Sequence, residues 1–164
     1  RSRTEIYNAS LMDLLEKPVT GKFDFEHLRN IHKYIFQDIY SWAGKIRTVD
    51  IAKSNMFCKV QFIEMQASEL FRKLQNYYYL MRLPKEKFVQ KAAYYFSEIN
   101  ALHPFREGNG RTQRELIRQL AYESGYILHF AVISYTAIQN HCRPVKAAMV
   151  SCRLPLVRRN SMYC

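Results

Sequence analysis

The sequence predicts an all-α fold, a helical bundle with one β-hairpin near residues 45–63. Three observations carry this. Apolar residues recur near a 3.6-residue period in several segments. Pro84, Pro104 and Gly125 punctuate the two strongest of those segments at their ends. One short region is β-prone around turn-forming residues. The chain has 164 residues, 48% of them hydrophobic, with 10 Phe and 12 Tyr. That is enough for one packed domain without disulfide staples, and it excludes a disordered chain. We expect one domain over 1–140 and a separate basic, Cys-containing tail over 141–164.

Residues 1–10 are polar and lack the apolar core of a signal peptide. The chain opens on Arg rather than Met, so a longer natural N-terminus is expected. The first helix is predicted over 23–40, where Phe25, Leu28, Ile31, Ile35 and Ile39 share a face and Asp24 can cap the start. Trp42-Ala43-Gly44 interrupts it. Next come two β-prone runs, Ile46–Ile51 and Met56–Phe62, separated by Lys53-Ser54-Asn55. These make the predicted hairpin. A helix follows over 63–79, with Ile63, Ala67, Leu70, Phe71 and Leu74 on one side. Another runs from Pro84 to Leu102, and the next from near Gly110 to Ser124, closed by Gly125 as its C′ glycine. A last helix is expected within 130–150. No stretch approaches the roughly 20 apolar residues of a membrane span.

The net charge is +11, from 25 Lys and Arg against 14 Asp and Glu. Residues 125–164 contain no acid at all, so the tail is disproportionately basic. Such an excess suits a polyanionic partner, and a nucleic-acid-binding basic helical module is one reading. No recognition-helix or RNA-binding signature accompanies it. Four scattered cysteines without a CxxC pair read as reduced thiols in a cytoplasmic protein.

The chemistry concentrates in His103-Pro104-Phe105-Arg106-Glu107-Gly108-Asn109-Gly110-Arg111-Thr112-Gln113-Arg114. A histidine ends one helix, and a second helix starts within seven residues. Gly108, Asn109 and Gly110 permit left-handed backbone and expose N–H groups that can form an anion nest. The positive end of the following helix adds to that nest. Arg111 and Arg114 lie three apart on one helix face and can fork onto phosphate oxygens. Two cations in a first turn oppose the helix dipole, which makes sense if a polyanion sits between them. Glu107 beside such a cradle can hold Mg²⁺ together with phosphates and water. His103 is the residue of the segment that exchanges a proton near neutral pH. Each residue alone would pass as a turn or a solvated helix end; the set within twelve residues does not.

The segment matches His-x-Phe-x-[Asp/Glu]-Gly-Asn-Gly-Arg-x-x-Arg at every fixed position, and on it the chain resembles the Fic (filamentation-induced-by-cAMP) family. Tyr40–Asp50 is similar to the stretch leading into that family's hairpin flap. The resemblance covers roughly residues 20–130. It implies a helical Fic-type bundle and a protein adenylyltransferase, which moves AMP from Mg-ATP to a Tyr, Ser or Thr hydroxyl of a target protein. It implies His103 as general base and Phe105 as loop anchor. Glu107 would be the Mg²⁺ ligand, Gly108, Asn109 and Gly110 the anion hole, and Arg111 and Arg114 the triphosphate clamps. The flap, with Ile46, Thr48, Val49, Asp50 and Phe57, would dock the target by β-augmentation. A phosphotransferase branch carries lysine where this chain has Gly110, so adenylyl transfer is favoured and Fic-fold phosphotransfer is the alternative. Many members are silenced by [Ser/Thr]-x-x-x-Glu-[Gly/Asn]. Glu107 precedes a glycine but has His103 four residues before it, so the pattern is absent here. A Glu to pair with Arg114 is then expected from a small antitoxin or from upstream sequence. The expected setting is a bacterial, toxin-like cytoplasmic protein, with delivery into a host cell left open, without a membrane and without nucleic acid.

Overall fold

The computed structural model describes residues 2–52 and 56–128. The helix expected within 130–150 and the basic tail 141–164 lie outside them. The described chain is all-α: α1 (Arg3–Glu16), α2 (Phe25–Phe36), α3 (Ile63–Asn76), α4 (Lys85–Leu102) and α5 (Asn109–Glu123). Short 3₁₀ turns at Val60–Phe62 and Tyr78–Leu80 flank α3. α5 packs against both α2 and α4; α3 lies on α4, and α1 on α2. None of these helices is long and apolar enough to cross a membrane.

Local chemistry explains most boundaries. Asp24 caps α2, its Oδ1 accepting the His27 N–H at 2.8 Å. Such a cap is worth about 0.5–2 kcal/mol. The apolar face of α2 is buried through Leu28, Ile31, Ile35 and Phe36. The helix stops at Phe36, short of the expected 40, where the chain folds back through hydrogen bonds from the Ile39 and Tyr40 N–H groups to the Phe36 carbonyl. α5 ends as expected, with Gly125 at φ +83° and the Tyr126 N–H donating to the Ala121 carbonyl at 2.8 Å. α3 ends three residues before the expected 79, because Tyr78, Tyr79 and Leu80 all take left-handed φ. Such a turn cannot continue a right-handed helix.

α1 has no counterpart among the expected elements. Only Leu14 of it is fully buried, with Tyr7 and Leu11 partly buried against the core beside it. Its start is a capping box: the Glu5 N–H donates to Ser2 Oγ at 3.2 Å, and the Ser2 N–H to Glu5 Oε2 at 2.9 Å. Its far end is tied down by Arg118 of α5, which donates to the Leu14 carbonyl at 3.2 Å. The half-buried Arg118 is itself paired with the buried Glu115 at 2.7 Å, and that hydrogen bond raises its pKa.

The predicted hairpin over 45–63 requires correction. Among its described residues there is no strand, only a single antiparallel bridge between Ala52 and Met56. Apart from the Phe57 N–H, which donates to the Ile51 carbonyl at 3.4 Å, several backbone groups that a ladder could use are bound elsewhere. The Arg47 N–H donates to the Pro104 carbonyl at 2.9 Å, and the Cys58 N–H to the Ala101 carbonyl at 3.0 Å. The Val60 N–H goes to Asp50 Oδ1 at 2.8 Å. The segment is a strap laid across the end of α4, not a free two-stranded ribbon.

Candidate active site

α4 and α5 pack together and are joined by six residues, so the C-terminal end of one and the N-terminal end of the other meet at one end of the bundle. His103 is the C-cap of α4 and has left-handed backbone at φ 45°. For a residue with a Cβ this costs about 1–2 kcal/mol. Pro104 then prevents continuation of the helix. The His103 Nδ1 lies 3.3 Å from the Asn100 carbonyl. A carbonyl only accepts, so Nδ1 carries the proton and Nε2 is the basic nitrogen. The ring stacks on Phe57 of the strap, centroids 3.8 Å apart and planes 11° from parallel.

The loop between the helices is closed on itself. Asn109 grips Phe105 twice: the Phe105 N–H donates to Asn109 Oδ1 at 2.9 Å, and Asn109 Nδ2 donates to the Phe105 carbonyl at 2.7 Å. Its side chain is buried and clamps the loop, so its contribution to an anion hole comes from its backbone N–H. Gly108 has φ +81°, and a Cβ there would stand 2.3 Å from the Phe36 ring. Only glycine fits. The N–H groups of Arg111 and Thr112 both donate to the Gly108 carbonyl. Those of Asn109 and Gly110 open the first turn of α5, where a helix offers no partner. Gly110 differs from Gly108: a Cβ there would meet only the Arg114 guanidinium, at 4.0 Å. Arg114 therefore lies over Gly110. The Arg111 guanidinium sits 4.0 Å above the Tyr7 ring of α1 and 5.7 Å from Phe36.

Phe105 is buried and stacks on His32 at 3.9 Å. His32 is buried, and so is His27 of the same helix. The Gly44 N–H donates to His32 Nδ1 at 2.8 Å, so Nε2 carries the proton and donates to the Glu107 carbonyl at 2.9 Å. His32 thus ties α2 to the turn at 44 and to the loop at 107. Burial pushes its pKa down to about 4, against the opposing pull of the Glu107 carbonyl, so it is neutral. The Glu107 side chain itself is exposed.

Of the predicted docking residues, Thr48, Val49 and Asp50 are exposed and Ile46 is half-buried. Phe57 is turned onto His103. Three residues at this site went unassigned in the sequence: Tyr7, His32 and Arg47. Arg47 is buried although charged. Burial lowers its pKa from the usual value, and the charge of Asp50 opposes this. Among the described residues no cluster of three or more His, Cys, Asp or Glu is placed to hold a metal. The candidate donor from the sequence, Glu107, is a single exposed carboxylate on the loop that leads into α5. That fits Mg²⁺, which keeps waters and takes one or two carboxylates with substrate phosphates.

The chain is similar to known proteins in sequence and in fold. Residues 22–121 match the model of the Fic/DOC family. The protein adenylyltransferase VbhT of Bartonella schoenbuchensis is 51% identical over 109 residues, covering 66% of this chain and 23% of that protein. A relative in Escherichia coli K12, named "Probable protein adenylyltransferase Fic", is 45% identical over 112 residues, covering 68% of this chain and 56% of its own length. The chain thus spans about half the length, or less, of these relatives. Among solved structures, the N-terminal Fic domain of a VirB-translocated Bep effector protein from Bartonella quintana, with bound ADP, superposes with a TM-score of 0.82. It shares 26% identity over 90% of this chain and 80% of that one.

Proposed function

The chain belongs to the Fic/DOC family, and from that premise we propose that it is a protein adenylyltransferase, moving AMP from ATP to a Tyr, Ser or Thr hydroxyl of a target protein. The observation that carries this is the meeting of a histidine with a fixed tautomer and a glycine-opened helix N-terminus at one end of the α4–α5 pair. In the reaction the hydroxyl oxygen bonds to the α-phosphorus. The bond from that phosphorus to the oxygen bridging it to the β-phosphate breaks, and pyrophosphate leaves. His103 Nε2 takes the hydroxyl proton. The N–H groups of Asn109 and Gly110, with the α5 dipole behind them, face the charge on the phosphoryl oxygens. Arg111 and Arg114 hold the triphosphate. Glu107 is the residue that would hold Mg²⁺; bound there, the ion neutralises phosphate charge. Little else is needed, because phosphorus transfer depends mainly on position and charge.

The exposed side of the strap, with Thr48 and Val49, is the surface we assign to target docking. It would present backbone edge near the single Ala52–Met56 bridge rather than a preformed hairpin. Regulation by a Glu paired with Arg114, supplied by an antitoxin or by sequence outside 1–164, belongs to the same reading. So does action in a bacterial or host cytoplasm; the Bartonella quintana relative is a translocated effector.

The test is incubation of the chain with Mg²⁺, bacterial lysate and either α-³²P-ATP or γ-³²P-ATP, beside His103→Ala. We expect a labelled protein band from the α-labelled nucleotide alone. Removing the base should weaken it by about 10²–10⁴-fold. Label from γ-³²P-ATP would replace this reading with phosphotransfer.

A further inference from the structure

Arg47 is a charged side chain with no solvent exposure, and its hydrogen bonds gather three segments. Nε donates to the His103 carbonyl at 2.8 Å, Nη1 to the Val49 carbonyl at 2.8 Å, and Nη2 to the Cys58 carbonyl. Its own N–H donates to the Pro104 carbonyl at 2.9 Å. Asp50 lies 3.8 Å from Nη1 and is half-exposed, so the charge is balanced without filling the fork.

We propose that Arg47 is a positioning residue of the active site, bracing the C-cap that aims His103 and both arms of the strap as one unit. The inference rests on the adenylyl-transfer reading for its catalytic consequence, and on geometry alone for the brace itself. The physical case has three parts. His103 holds left-handed backbone, which persists only where surroundings over-determine it. Of the carbonyls at the end of α4, the one on the C-cap residue His103 is taken by Arg47. Among the described residues the two arms of the strap share one bridge, a bond from the Phe57 N–H to the Ile51 carbonyl at 3.4 Å and one from the Val60 N–H to Asp50 Oδ1 at 2.8 Å; the planar guanidinium adds a direct tie between the Val49 and Cys58 carbonyls. Phe57 precedes Cys58 and stacks on the His103 ring, so the same fork fixes the backbone beneath the base and the aromatic face against it. Lysine has the charge but not the fork, and it cannot reach three divergent carbonyls from one atom.

The test compares wild type with Arg47→Lys and Arg47→Gln in the full chain, each assayed well below its own melting temperature. The first readout is amide hydrogen exchange over residues 46–50, 56–60 and 101–105, which does not depend on activity. The brace predicts faster exchange in all three segments together, with α2 and the C-terminal half of α5 unchanged. The second is label transfer from α-³²P-ATP. The expected result is a kcat lower by about 10–100-fold with KM for ATP within about twofold, since a small misplacement of a base acts on the chemical step. Exchange unchanged in both variants overturns the brace. Faster exchange with undiminished kcat, or a loss confined to KM, overturns the positioning role. If wild type transfers no label, the adenylyl-transfer reading falls alone, and the exchange comparison still decides the brace. If neither variant folds, exchange of the Arg47 Nε–H in wild type decides. Slow exchange supports the buried fork; solvent-like exchange overturns it.

Discussion

The loop 103–114 and the strap 46–58 meet at the same site, yet they are held in different ways. In the loop the bonds that shape the turn are short-range, although His32 reaches the Glu107 carbonyl from α2. Asn109 clamps Phe105, and Arg111 and Thr112 close on Gly108. The strap has local bonds too, but its placement rests on long-range ones, from Arg47 to His103 and Pro104 and from Cys58 to Ala101. A region that closes on itself carries its conformation in its own residues. A region that closes on a distant element borrows it. The two regions should therefore fail differently when mutated.

The largest stability effect is expected at Gly108. Gly108→Ala places a Cβ against Phe36 in a left-handed backbone, and should destabilise by about 2–5 kcal/mol in urea melts. Gly110→Ala meets no such barrier and should stay within about 0.5 kcal/mol of wild type, while weakening ATP binding through the narrowed anion approach. Equal destabilisation by both would remove the distinction between a steric glycine and an approach glycine.

A second expectation concerns acid. His32 is neutral in the folded state, with a pKa of about 4 against an ordinary value near 6.5. The unfolded chain therefore binds a proton first as pH falls. Stability attributable to His32 is intact above about pH 6.5 and is lost progressively down to about pH 4, by about 3 kcal/mol in total. Urea midpoints measured from pH 7.5 to 4 should fall more steeply for wild type than for His32→Gln. Parallel curves would mean His32 is not a buried neutral strut.

These expectations also show what could be read from residues alone. α2, α4 and α5 were legible because period, Asp24, Pro104 and Gly125 are local signals. The loop was legible for the same reason: a Gly-Asn-Gly turn needs no distant partner to be recognised. α1 left the Ser2-x-x-Glu5 box and a short stripe of Tyr7, Leu11 and Leu14 among exposed apolar residues, and the bond that ties its far end comes from Arg118, 104 residues from Leu14. Nothing local marks His32, because its partner, the Glu107 carbonyl, is 75 residues away. The strap looked like a hairpin because β-prone residues flank a turn. Composition does not show that Arg47 and Ala101 take up the groups a ladder would need.

Asn109→Ala tests the self-closing loop directly. It strands the buried Phe105 N–H and carbonyl and should cost about 2–4 kcal/mol, with α4 amides unaffected in hydrogen exchange. The smallest effect is expected at the Ala52–Met56 bridge. Met56 is exposed, and Met56→Lys should shift stability by no more than about 0.5 kcal/mol. A larger loss would restore the strap as an independently stable hairpin.

The most direct measurement follows both products of the same reaction. Wild type and His103→Ala, shown beforehand to bind ATP equally, are incubated with Mg-ATP and the acceptor protein recovered from the labelling experiment. Adenylyl groups gained by the acceptor are counted by intact mass, and released pyrophosphate is counted in parallel. The account predicts one pyrophosphate for each adenylyl group in wild type, and both products formed about 10²–10⁴-fold more slowly in His103→Ala. Pyrophosphate or ADP release without adenylyl gain, or equal adenylyl gain in both proteins, would contradict it.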